Sequence, residues 1–406
     1  MHEIIKLSNG LRVVLENISH VKSVTAGVWI GAGSYRETAG NNGISHFIEH
    51  MLFKGTKNRT AKQIAEEIDD IGGQINAFTG RDCTCFYAKV LFNHVDIAVD
   101  VISDMLFNSL FDDGDLALER SVVAEEISMY EDAPEEVVHD LLTEQAWRGS
   151  PFGQSILGTK EILESITKEN IQAYMAENYT PENSVFSVVG SFERGRLIAL
   201  LEEKFGGWAS SSAPLGVIDV PKFYSAHAEV SKDIEQAHLC LGYKAIERGH
   251  ELAYPLMVVN TILGSGMSSR LFQNIREEKG LVYSIYSYQS IFEETGLFTI
   301  YAGMNPARLG QVRELIEAEI KRLKTDSISD YELQKCKEQL KGSLILGLES
   351  TSARMHSFGQ SLLLTGRIQT LDETVEKIDS VDLDKVRRVI KLVFDSEPAA
   401  AIVRRK

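Results

Sequence analysis

Cysteine is scarce: only Cys83, Cys85, Cys240 and Cys336 occur in 406 residues. They are too few and too scattered for a disulfide framework, which points to a reducing compartment. Cys83 and Cys85 share one face of an apparent strand, with no further cysteine or histidine near them, so packing is a better account of the pair than metal binding. Long apolar runs are absent as well, and nothing approaches membrane-spanning length. The opening "MHEIIKLSNGLRVVLENI" alternates like a strand and lacks the basic-then-apolar layout of a signal peptide. A cytoplasmic protein without a membrane partner is the expectation. Basic residues are outnumbered, 42 Lys and Arg against 58 Asp and Glu, for a net charge of −16. That argues against nucleic acid as a partner, because phosphate binding needs a basic footprint. "GSGMSSR" (264–270) is glycine-rich but lacks the lysine and spacing of a phosphate loop, so nucleotide binding is rejected.

Histidine is also uncommon, ten in the chain, yet two stand four apart in "GISHFIEHMLFKGT" (43–56). Ile44, Phe47, Ile48, Met51 and Leu52 recur with helical period and predict one buried stripe. His46, Glu49, His50 and Phe53 fall on the opposite stripe, where residues three or four apart converge. Two imidazoles one turn apart can share a zinc ion, and the carboxylate between them can reach its water. This H-x-x-E-H order is the inverted form of the H-E-x-x-H zinc-peptidase motif.

A catalytic zinc needs a third protein ligand and an open position. The candidates lie in "DLALERSVVAEEISMYED" (115–132), where Leu116, Val123, Ile127 and Tyr130 suggest a helix with one buried side. Glu119 and Glu126 share a stripe two turns apart. By spacing alone, either Glu125 or Glu126 could reach the metal. Residues 111–140 hold eleven acidic residues and one basic one, Arg120. This run is either a solvated face or a field that attracts basic, extended peptides.

Between these segments, Thr60 with Gln63 makes a capping box ahead of a helix buried through Ile64, Ile68 and Ile71, and Gly72 and Gly73 end it. "QINAFTGRDCTCFYAKV" (74–90) then alternates as a long strand. After residue 205, "GGWASSSAPLGVIDVPKF" has no period and reads as a linker. The divisions expected are a catalytic domain over 1–208, a linker over 209–224 and a second domain over 225–406. That second domain looks like a diverged copy of the first: "IEQAHLCLGYKA" parallels "KSVTAGVWIGAGS", and "ISDYELQKCKEQLKGSL" parallels "FDDGDLALERSVVAEEI". In the copy Cys336 and Ser343 replace Glu119 and Glu126, and Leu256, Val259 and Asn260 replace the motif. The fold class expected is α+β: two homologous domains, each a mostly antiparallel sheet covered by helices, related by internal duplication, with the metal site in the first alone.

These residues resemble the pitrilysin and insulinase family of zinc peptidases, and "HFIEHMLFKGT" is especially similar to its mitochondrial processing peptidase branch. The resemblance covers nearly the whole chain. It implies one zinc per chain on His46, His50 and a glutamate some 76 residues beyond His50, the position of Glu126. It further implies Glu49 as general base and Glu119 as a supporting glutamate. Phe53 would help form the pocket beyond the scissile bond, although an aromatic residue there also suits ordinary packing. Asn76, Ala77 and Phe78 resemble the piece of edge strand on which a peptide lies as an added strand. Arg276 and Tyr283 resemble the pair that binds the substrate carbonyl from the non-catalytic side.

Long-chain members of the family close a chamber from four units. Two units here imply a homodimer, with Arg276 and Tyr283 serving the partner's zinc site. Zinc endopeptidase is the function expected. The alternative is a non-catalytic peptide-binding or scaffold subunit of the same fold, a class whose motifs are typically damaged.

Overall fold

The computed structural model describes residues 2–210, 216, 218–325 and 328–406. Part of the linker expected over 209–224 therefore lies outside the described residues. The strands are β1 (Glu3–Lys6), β2 (Arg12–Asn17), β3 (Ser23–Ile30), β4 (Gln74–Thr79), β5 (Thr84–Leu91), β6 (Ser184–Gly190), β7 (His227–Ser231), β8 (Ala237–Ala245), β9 (Val282–Ile291), β10 (Gly296–Met304) and β11 (Ala399–Arg404). Helices in the first half are α1 (Ile44–Met51), α2 (Ala61–Asp69), α3 (Val95–Asn108), α4 (Asp113–Asp132), α5 (Pro134–Ala146), α6 (Lys160–Ser165), α7 (Lys168–Asn178) and α8 (Arg194–Phe205). Those in the second are α9 (Ala253–Leu263), α10 (Leu309–Thr325), α11 (Asp330–Gly347), α12 (Thr351–Thr365), α13 (Leu371–Asp379) and α14 (Leu383–Phe394). No helix among the described residues is long and apolar enough to cross a membrane.

The strands form a six-stranded sheet, β1-β2-β6-β3-β5-β4, and a five-stranded sheet, β7-β11-β8-β10-β9. Each contains one parallel pair, β2 with β6 and β7 with β11, and is otherwise antiparallel. Without β1, the two orders match strand for strand. The duplication expected from the sequence is thus present in the topology.

Two sequence expectations need correcting. Residues 74–90 are a hairpin, not one long strand, because Gly80 N–H turns back to the Cys83 carbonyl at 2.8 Å. Cys83 therefore precedes β5, though both cysteines are buried and neither forms a disulfide. Tyr130 is not on the buried side of α4, being 43% exposed, whereas Leu116, Val123 and Ile127 are buried.

The compact units also cut across contiguous halves. The first comprises Met1–Ile127, Ser155–Ile218 and Gly347–Ile368; the second takes Ser128–Gln154, Asp219–Leu346 and Gln369–Lys406. Each half thereby lends one helix to the other sheet. In the first unit, α12 lays Met355, Phe358 and Leu362 on Val14, Trp29, Cys85, Val185 and Val189. Arg354 binds buried Glu16 at 2.8 Å, and Thr351 meets Thr25 at 3.0 Å. In the second unit, α5 directs His139 at the hydroxyls of Tyr288 (2.8 Å) and Tyr286 (3.2 Å). The opposite face of the first sheet carries the main core, into which α1 sends Ile44, Phe47, Ile48 and Met51.

Gly359 is the point where α12 comes closest to that sheet: a Cβ there would collide with the Trp29 indole. In an exposed helix, Gly→Ala stabilises by roughly 0.5–1 kcal/mol. Here overpacking opposes that gain, and Gly359→Ala is expected to destabilise by about 1–3 kcal/mol in urea unfolding. A variant more stable than wild type would show that the indole does not constrain this position.

Candidate active site

The site is assembled on α1. Its first turn needs partners for the free N–H groups of a helix N-terminus, and the Glu37 carboxylate supplies them. It accepts from Gly43 N–H at 2.6 Å and Ser45 N–H at 2.8 Å, and from the Asn42 side chain at 3.0 Å. Gly43 caps the helix at φ 91°, with the Leu157 carbonyl where a Cβ would project, so glycine is required there on both counts. Ser45 adds a bond to the Tyr174 hydroxyl at 2.8 Å. Nothing periodic in the sequence announces Glu37.

Held in this way, α1 presents His46 and His50 with ring centroids 4.6 Å apart. Glu126, from α4, places one carboxylate oxygen 3.6 Å from His46 Nε2 and 3.5 Å from His50 Nε2. These distances are long for hydrogen bonds. They suit ligands of one tetrahedral ion, whose donor atoms sit about 3.3–3.4 Å apart when each bond is about 2.0–2.1 Å. Among the described residues, this is the one group of three or more His, Cys, Asp or Glu that could hold a metal. The donor set therefore fits zinc. Glu125, which spacing left open as a ligand, is exposed and outside this group.

Glu119 is buried and aims at the back of His50, its carboxylate 2.7 Å from Nδ1. Such a carboxylate fixes the tautomer and leaves Nε2 free for a metal. Lys54, a partner the sequence did not suggest, pairs with the other oxygen of Glu119. Burial, reinforced by the neighbouring His50, lowers the His46 pKa to about 4, so this imidazole is neutral and ready to ligate at neutral pH. Burial also pulls down on His50, but Glu119, Glu126 and Glu49 outweigh it and raise its pKa. Glu49 is shifted upward by burial and by Glu126, against the pull of its hydrogen bond from Thr79 and of His50. Thr79, at the end of β4, donates to Glu49 Oε2 at 2.5 Å.

The remaining residues expected at a site divide between the units. Phe53 lies just past α1, half-buried against the main core. Asn76, Ala77 and Phe78 do lie on an edge strand, since β4 pairs with β5 alone. Asn76 bonds Tyr87, and Phe78 packs on Trp29 and His356, so both side chains face away from α1. Ala77 faces the core on the α1 side. Arg276 and Tyr283 belong to the second unit, where Tyr283 is 61% exposed and not a core residue. It is also the extra residue of a β-bulge, because Gly303 and Met304 of β10 pair with Ser284 and Val282. Bulges re-aim side chains near functional sites. Where α1 carries the motif, α9 carries buried Leu256 and Val259, and Asn260 accepts from Ser287 at 2.7 Å.

Residues 12–160 match the family described as Insulinase (Peptidase family M16), and residues 165–340 match the Peptidase M16 inactive domain. A Bacillus subtilis protein named an uncharacterized zinc protease is 47% identical over 97% of this chain and 96% of its own length. A Streptomyces coelicolor protein, also named an uncharacterized zinc protease, is 37% identical over 98% of this chain and 88% of its own. The crystal structure of a protease from Helicobacter pylori superposes with a TM-score of 0.94 at 25% identity, covering 100% of this chain and 99% of that one. A Pseudomonas fluorescens structure described as a peptidase M16 inactive domain, 17% identical with a TM-score of 0.91 over 100% of this chain and 98% of its own, shares the fold. The chain belongs to the insulinase family of peptidases, whose relatives here bear the names of zinc proteases.

If Glu126 is the third ligand, Glu126→Gln is expected to strip most of the zinc measured by elemental analysis, while Glu125→Gln keeps it. Glu119→Ala should weaken zinc about 10- to 100-fold, the usual effect of losing the group behind a ligating histidine. Loss of metal in the Glu125 variant instead would reassign the ligand.

Proposed function

We propose that this protein is a zinc endopeptidase that hydrolyses peptides or unfolded segments in an enclosed chamber. One observation carries the reading: His46, His50 and Glu126 bring potential ligand atoms within 4.8 Å of one another, with one Glu126 oxygen 3.6 and 3.5 Å from the two imidazoles and an intact Glu49 beside them. The scaffold alternative draws no comparable support, because no residue of the motif is lost.

His46, His50 and Glu126 would hold the ion, one per chain. When bound, zinc polarises the scissile carbonyl and acidifies water. Glu49 takes the proton from the attacking water and delivers it to the leaving amine, a role suited to a carboxyl whose pKa is raised above its usual value. Glu119 keeps His50 in one tautomer. The peptide adds to the open edge of β4 at Asn76, Ala77 and Phe78, held by main-chain hydrogen bonds that tolerate any sequence. Because Asn76 and Phe78 turn their side chains to the far face, their contribution to the peptide is backbone. Phe53 borders the pocket beyond the scissile bond. The acids of α4 bias the site toward basic peptides, although Glu119 is already neutralised by Lys54.

Arg276 and Tyr283 supply donors for the substrate carbonyl. Two units per chain make a homodimer the simplest closed assembly, with this pair acting on the opposite subunit's zinc site. Exposure of Tyr283 at a bulge on an edge strand supports a residue turned outward for such a task.

The test of chemistry is cleavage of a mixed peptide pool with and without chelator. Glu49→Gln is expected to retain zinc and peptide binding while losing turnover by several orders of magnitude. Chelator-insensitive cleavage, or substantial activity in that variant, would remove the reading.

The assembly has its own test. A Glu49→Gln chain is mixed with a chain carrying Arg276→Ala and Tyr283→Phe, each nearly inactive alone. In a trans arrangement the mixed dimer contains one intact site, so activity returns. Absence of recovery in mixed dimers shown to form would rule out a shared site.

A further inference from the structure

Glu49 is a flexible side chain asked to act at one place. Among the described residues its single hydrogen-bond donor is the Thr79 hydroxyl, on Oε2 at 2.5 Å, which leaves Oε1 for proton transfer. Thr79 is β-branched and stiff at χ1. It is also the last residue of the edge strand β4, paired across to Thr84.

The hydroxyl is mounted on a clamped hairpin end. Ser34 N–H donates to the Gly80 carbonyl at 3.2 Å and Tyr35 N–H to the Arg81 carbonyl at 3.0 Å. Thr84 donates to the Ala32 carbonyl at 2.8 Å. Gly33 lies so close to Gly80 and Arg81 that a Cβ would stand 2.7 Å from the Arg81 carbonyl oxygen. Two residues beyond Tyr35, Glu37 holds the N-terminus of α1 through Gly43 and Ser45. Residues Gly33 to Glu37 therefore grip both bodies that the Thr79–Glu49 bond joins. A misplacement of either one by an ångström would break it.

We infer that Thr79 is the positioning residue of Glu49, through which the strand that receives the peptide sets the aim of the base. This rests on the peptidase reading of the site. Thr79 touches neither the ligands nor the reacting bond; it acts through Glu49. Its hydroxyl, not its bulk, is the operative part.

Two substitutions separate those properties. Thr79→Val keeps the shape and removes the donor, whereas Thr79→Ser keeps the donor and removes a methyl. Thr79→Val is expected to lower kcat by roughly 10- to 100-fold, the scale of a misaimed catalytic group. KM should stay within about twofold and zinc content should remain at the wild-type level, since binding contacts are not removed. Thr79→Ser should retain most of kcat. In a Glu49→Gln background, Thr79→Val should change the residual rate little, because groups acting as one unit are not additive. Wild-type kcat in Thr79→Val, equal losses in the two variants, or a full further loss in the Glu49→Gln background would each overturn the inference. Should Thr79→Val fail to fold, the Thr79→Ser and Thr79→Ala pair poses the same question. Wild-type protein that cleaves nothing would instead sink the peptidase reading itself.

Discussion

Two rigid bodies of the first unit must meet within hydrogen-bond distance, and both are tethered to the same five residues, Gly33 to Glu37. One body is α1, buried on one side and polar on the other. The second is the end of the β4–β5 hairpin. Backbone donors fix the hairpin, and a buried carboxylate fixes the helix, so the geometry does not depend on flexible side chains in solvent. The histidines, Glu49 and the open sheet edge inherit their mutual placement from that loop. Glu126 and Glu119 then come from α4, whose buried stripe of Leu116, Val123 and Ile127 sets its rotation. His46, His50 and Glu126, the outer two 80 positions apart in the chain, thereby bring potential ligand atoms within 4.8 Å of one another.

The parts legible from sequence were those written as a period or a motif. A 3.6-residue repeat placed α1 and its two faces, and the capping box at Thr60 and Gln63 marks the start of α2 as expected. Distance along the chain could not choose between Glu125 and Glu126, because adjacent residues are almost equally far from the motif; on the folded helix Glu126 borders the buried stripe of Leu116, Val123 and Ile127, whereas Glu125 points to the exposed side. Family resemblance named Glu126, and it is Glu126, not Glu125, that stands beside His46 and His50. The hairpin went unread although the alternation changes phase at the turn: Ile75 and Ala77 face the main core before it, and Phe86, Ala88 and Val90 face it afterwards. Glu37, Thr79 and Lys54 carry no pattern at all; their importance lies in distances that only folding creates.

Helix partner choice was likewise invisible. An amphipathic helix declares that it has an apolar face, but not which sheet will cover that face. Thus α5 and α12 look like ordinary members of their own halves, and each packs on the other half's sheet. The duplication itself was easier to see, since whole segments repeat their pattern along the chain, and strand order and the parallel pair recur in both units. The two units differ at the helix that carries the motif in the first. In the second, the equivalent helix α9 is filled with Leu256 and Val259, and a neutral Asn260–Ser287 bond stands in place of imidazole and carboxylate. Burying apolar residues there removes the desolvation cost that His46, Glu49 and Glu119 impose on the first unit.

The exchange of helices has a consequence for how the chain is made. As a ribosome releases the protein, β1 to β6 are complete once residue 190 has emerged, yet the sheet face carrying Trp29, Val14, Val185 and Val189 has no cover until α12 follows, ending at Thr365. That apolar face stays exposed through most of the second half of synthesis. Sheets left bare in this way are prone to associate, and long-range closure is slow. Neither half has all the parts of a compact unit until nearly the entire chain is out.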